Sequence, residues 1–84
     1  MANRFFNDEG ELKVIPKKHE AKIEVFSTII ELFEYEHFYS EKEVNEILKK
    51  VYHDYALLRR YLIEYRFLLR DLYGKAYERV RDSK

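Results

Sequence analysis

The chain is expected to fold as a mainly α, small α+β domain of the winged helix-turn-helix kind: three helices, a β-hairpin wing and a short N-terminal arm or hairpin. Three observations predict it. Two capped amphipathic segments follow one another across a very short connection between Ser40 and Tyr65. Two β-prone runs separated by Tyr73-Gly74 come next, where a glycine can supply the positive φ of a tight hairpin turn. Before both lies a longer amphipathic segment, reading as a scaffold helix. Eighty-four residues allow a single domain over 1–84, divided into an arm at 1–16, a scaffold helix at 17–35, the helix-turn-helix at 40–65 and a wing at 67–80.

In chain order, Arg4 to Asn7 and Leu12 to Ile15 flank Asp8-Glu9-Gly10, a turn-forming composition. Pro16 fits the residue before a helix or in its first turn. From Lys17 to about Tyr35, Ile23, Phe26, Ile30 and Phe33 form one apolar stripe, and Val25, Ile29 and Leu32 form a second beside it. At 1.5 Å per residue this helix would run about 25 Å. Its wide apolar arc makes Val25, Ile29 and Leu32 candidates for a dimer interface; the alternative is that both stripes are covered within the chain.

Glu34 to His37 form an acidic connector, after which Phe38 or Tyr39 is placed to staple onto Val44. Ser40 with Glu43 makes a capping box, followed by Val44, Ile47, Leu48 and Val51 on one helical face. Asp54 is the expected cap of the next helix, Tyr55 to about Tyr65. In it Tyr55, Leu58, Leu62 and Tyr65 make the inward stripe with Tyr61 at its edge, and Ala56, Arg59, Arg60 and Ile63 face away. Phe67–Leu72 and Lys75–Val80 are the expected strands.

Composition narrows the functional classes. Without Cys there are no disulfides, thiolate metal sites or thiol catalysis. Neither a run of about 18 apolar residues nor the apolar core of a signal peptide occurs, so a soluble cytoplasmic protein is expected. His19, His37 and His53 have no helical metal-site spacing, no hydroxyl sits in a nucleophile elbow and no Gly-rich phosphate loop exists. No enzyme activity, cofactor, metal or small-molecule substrate is therefore expected. The exposed carboxylates Glu41, Glu43 and Glu46 suit a helix N-terminus rather than acid–base chemistry.

Net charge is zero, but its distribution is polar: residues 1–39 hold five Lys or Arg against eight Asp or Glu, and residues 40–84 hold eleven against eight. A DNA-facing surface needs cations gathered in this way. Arg59 and Arg60 are the first candidates, since the second helix of the motif enters the major groove, where Arg takes guanine edges or phosphates. Tyr52 and His53 could hydrogen-bond to phosphates, and Arg66, Arg70, Lys75 and Arg79, on or beside the wing, to the sugar-phosphate backbone. The blander reading is a solvated face with Glu64 paired to Arg59 or Arg60. Duplex DNA is the expected partner; the rival is a protein-interaction or dimerisation module that touches no DNA.

The blocks YSEKEVNEIL, HDYALLRRYLIEY and RD-x-x-G-x-x-Y, with FF-x-D-x-G-x-L-x-x-IP-x-K upstream, make the chain resemble the small bacterial family called domain of unknown function 2087 over roughly Phe5 to Val80. The resemblance implies a winged-helix-like domain, found alone or joined to helix-turn-helix transcriptional regulators. Members tend to carry Gly after the Glu64-Tyr65 position, where this chain has Arg66. The departure implies a lost left-handed cap, a helix that runs further or ends less sharply, and a wing of uncertain position.

Overall fold

The computed structural model describes residues 5–73 and 75–80. Helix α1 (His19–Ile29) passes into a 3-10 turn (Ile30–Leu32), helices α2 (Glu41–Lys49) and α3 (Tyr55–Glu64) follow, and strands β1 (Leu68–Arg70) and β2 (Tyr77–Arg79) end the fold. Gly74, expected in the hairpin turn, lies outside the described residues.

The N-terminal segment is a small hairpin. Phe6 bridges Leu12 in antiparallel fashion, and the Asn7 side-chain oxygen accepts from the amides of Glu9 and Glu11, both at 2.9 Å. Gly10 takes φ +83°, the left-handed conformation that favours glycine in such a turn. The Leu12 amide then donates to Val51 O at 2.7 Å, fastening the hairpin to the α2–α3 connection.

The scaffold helix is shorter than the expected 17–35 span. Its last turn holds no basic residue, Thr28 Oγ1 donates back to Glu24 O, and the β-branched run Thr28-Ile29-Ile30 weakens helical preference. Phe33 has already turned extended at φ −107°, ψ 142°, which buries its ring and frees its carbonyl for another partner. Both apolar stripes converge on the core, so Val25, Phe26, Ile29, Ile30 and Phe33 are buried, whereas Ile23 and Leu32 are exposed.

Helix α2 starts as its sequence dictates. Glu43 N–H donates to Ser40 Oγ at 3.1 Å, and Ser40 N–H donates to Glu43 Oε1 at 2.8 Å. Val44 and Leu48 are fully buried against Leu58 and Leu62 of α3 and the α1 face, in one hydrophobic core. Asp54 caps α3 by accepting from Leu57 N–H at 3.2 Å. Around Phe26 stand Tyr61, Tyr65 and Phe67, with ring centroids 5.3 to 6.2 Å away. Tyr55, expected on the inward stripe, is instead exposed at the first turn of α3.

The end of α3 corrects the expectation of a lost cap. Arg66 itself adopts φ +65°. Its N–H donates to Ile63 O at 3.1 Å and the Phe67 N–H to Leu62 O at 2.8 Å, the two crossed bonds of a Schellman motif. The apolar contact of such a cap is supplied by Phe67 packing toward the core. Helix α3 therefore stops sharply and the hairpin begins where it would with glycine, despite the Cβ clash that Arg bears there.

In the hairpin, Leu68 pairs with Arg79, Leu69 with Glu78 and Arg70 with Tyr77. A further rung forms on the other side of β2: Tyr39 N–H donates to Tyr77 O at 2.8 Å and Tyr77 N–H to Tyr39 O at 2.7 Å. The lateral order is thus Tyr39, β2, β1. A helix, an extended rung, two helices at a tight turn and a hairpin that returns to the rung constitute winged-helix topology.

Candidate nucleic-acid interface

The eight residues singled out for DNA contact separate into two groups. Arg60 lies on the solvent stripe of α3 with Ala56 and Glu64; its side chain is 74% exposed and Nε donates to Glu64 Oε2 at 3.2 Å. Arg66, Arg70 and Lys75 are exposed at the helix end and along the hairpin, where the Lys75 amide is held by Asp71 Oδ1 at 2.7 Å. His53 is exposed in the α2–α3 connection, and the neighbouring Tyr52 is half-buried with its ring 4.5 Å from that of His53.

Arg59 and Arg79 depart from the expected outward placement. Arg59 is half-buried and its guanidinium donates to Asn45 Oδ1, linking α3 to α2. Ile63, also expected to face away, packs on the core margin. The physical reason is that α3 is wedged between α2 and the hairpin, which leaves a solvent stripe only one side chain wide.

Arg79 is the stronger departure. Its side chain is only 10% exposed. Nη1 donates to Phe33 O at 3.0 Å, Nη2 to Glu31 Oε2 at 3.2 Å, and the guanidinium lies 3.9 Å from the Tyr35 ring centroid. The guanidinium clamps β2 onto the turn that ends α1. Alternation supplied a signal for this: Arg79 is two residues after buried Tyr77 and shares its face of the strand.

Tyr77 forms the second link. Its hydroxyl donates to Glu41 Oε1 at 3.2 Å, joining β2 to the start of α2. Burial pushes this hydroxyl up from its ordinary value of 10.0, and the Glu41 carboxylate adds to the rise. Sequence reasoning missed both this contact and Asn45, whose only local mark is its position beside buried Val44.

Of the three residues proposed for a dimer interface, Val25 and Ile29 are 0% and 1% exposed and are covered within the chain. Only Leu32, at 53%, reaches solvent. Phe38 stands exposed, while Tyr39 packs against the core, its ring 5.1 Å from Phe33. Among the described residues no three His, Asp or Glu side chains gather to hold a metal ion, and no helix is long and apolar enough to cross a membrane.

The rung at Tyr39, the tight turn between α2 and α3 and the hairpin that follows place the molecule in the winged-helix class. The family model of DUF2087, described as an uncharacterized protein conserved in bacteria, matches residues 11–79, and the chain belongs to that family. No curated protein and no solved structure matches it significantly.

Proposed function

We propose that this domain binds duplex DNA as part of a bacterial transcriptional regulator, with α3 in the major groove and the hairpin along the backbone. The observation that carries the reading is the exposure of Arg60, Arg66, Arg70 and Lys75 on α3, its C-terminal turn and the hairpin. Those are the elements a winged helix presents to a duplex. Ala56 and Arg60, one turn apart, would enter the groove, Arg60 exchanging the Glu64 carboxylate for a guanine edge or a phosphate. The exposed ion pair with Glu64 is worth little, so the exchange costs little. The role fits a cytoplasmic protein without catalytic function.

Fluorescence anisotropy with random and genomic duplexes tests this. Roughly four phosphate contacts predict an affinity that falls about 100-fold between 50 and 200 mM salt. Absence of binding at the lowest salt would leave the rival reading, a protein-interaction module. That rival is favoured by one specific observation: Leu69, Leu72 and Tyr73 of the hairpin are exposed at 54%, 92% and 81%.

A further inference from the structure

The alternation of hydrogen bonds across the hairpin shows where its unused backbone groups point. Val80 N–H donates to Phe67 O at 2.9 Å and Asp71 N–H to Ala76 O at 3.0 Å, so these two pairs are of the hydrogen-bonded kind. Between them the antiparallel pattern makes Leu69 and Glu78 the next such pair. Tyr77, opposite Arg70, turns its own N–H and C=O the other way, to Tyr39. The N–H and C=O of Leu68 and Arg70 therefore face the outer side of β1. Among the described residues no strand or loop pairs with them there.

That outer side is the wall of an open groove between the end of α3 and β1. Ile63 and Leu72 contribute apolar surface to it, and Arg66 and Arg70 stand at its rim. Two carboxylates also line it, and both are engaged: Glu64 with Arg60, and Asp71 with the Lys75 amide. Among the described residues Arg66 and Arg70 pair with no carboxylate. The groove thus combines a free strand edge, apolar side chains and two arginines that no carboxylate pairs among the described residues.

We propose that β1 is a docking edge for an extended acidic–apolar segment of a partner protein, which adds a strand beyond Leu68–Arg70. Backbone pairing would give affinity, apolar side chains against Ile63 and Leu72 register, and acidic side chains between them would meet Arg66 and Arg70. Charge disfavours a second copy of β1 in this place, because an antiparallel mate would bring its own Arg66 and Arg70 beside these two. A nucleic acid offers no N–H and C=O ladder to match the edge. The inference rests on the open edge together with Arg66 and Arg70, which the DNA reading also uses, but it does not require that DNA be bound.

The test is amide NMR of the full chain titrated with a synthetic decapeptide of alternating Glu and Val, beside a Lys–Val peptide of the same length. Expected are saturable shifts and slowed exchange at the Leu68 and Arg70 amides, several-fold weaker binding of the Lys–Val peptide, and loss of binding in Arg70→Pro, which removes one edge N–H. Tyr77 and Val80 amides report whether that variant is folded; if it is not, the two-peptide comparison decides. Equal binding of both peptides, or no change at those amides at millimolar peptide, would overturn the proposal. So would the same shifts produced by protein concentration alone, or by a short DNA duplex where the peptide produces none.

Discussion

β2 is held from two directions besides its partner strand, and β1 from one fewer. On β2, Tyr77 bonds the Tyr39 backbone and the Glu41 carboxylate, and Arg79 bonds Phe33 O and Glu31. On β1, Leu68 is buried, but Leu69 and Arg70 carry their side chains into solvent, and among the described residues nothing pairs with the outer backbone edge. One hairpin thus contains a strand tied to the core on both sides and a strand whose outer edge is unpaired among the described residues. The lesson is that a cation's element does not decide its role: Arg79 and Arg70 share the hairpin, and only Arg70 can reach DNA or a partner without unmaking the fold.

The largest effect should separate those two residues. Arg79→Ala removes a charged hydrogen bond to a carbonyl at a nearly buried site, and is expected to cost about 2–3 kcal/mol in urea unfolding. Arg70→Ala should change stability by no more than about 0.5 kcal/mol. Equal costs would erase the distinction between the strands.

Tyr77→Phe comes next, at about 1 kcal/mol near neutral pH for the bond to Glu41. Its pH dependence is more telling. The folded-state value of Tyr77 is raised, so its contribution is complete below the unfolded value near 10 and is lost as pH rises through the folded value. Wild type should therefore lose more stability than the Phe variant above pH 10, measured by thermal unfolding. Parallel curves would mean that burial does not hold the hydroxyl protonated.

Arg66→Gly sharpens the comparison from the β1 side. It relieves a left-handed non-glycine residue while adding chain entropy to the unfolded state, and should stabilise the domain by about 0.5–1 kcal/mol. A destabilised variant would show that the Arg66 side chain itself supports the turn. Smallest is Glu31→Gln, expected within about 0.5 kcal/mol because the Glu31 side chain is 71% exposed.

Much of the fold was legible because its signals are local. The Ser40–Glu43 box, the Asp54 cap and the Val44–Leu48 stripe all lie within a few residues of what they determine. The extent of α1 was not legible, because apolar spacing continues through Phe33 while the backbone leaves the helix at Ile30 to bury that ring. Arg66 misled for another reason: the Schellman bonds and the packing of Phe67 outweigh the local preference of one residue. In the candidate site, Arg60 stands on the outer helical face where periodicity put it, and Arg66, Arg70 and Lys75 stand exposed on or beside the hairpin, where their place in the chain put them. Arg59 and Arg79 do not, since Asn45 and Phe33 are 14 and 46 residues away and leave no local trace.

The adjacent pair Arg59 and Arg60 tests the central claim most directly, through the salt dependence of duplex binding in the Arg59→Ala and Arg60→Ala variants. The account predicts that Arg60→Ala lowers the slope of log affinity against log salt by about one unit at unchanged stability, if its contact is to phosphate, or weakens binding in a sequence-dependent way, if to a base. It predicts that Arg59→Ala lowers stability and leaves the slope of the folded protein intact. The reverse assignment, or salt-independent binding in wild type, would contradict it.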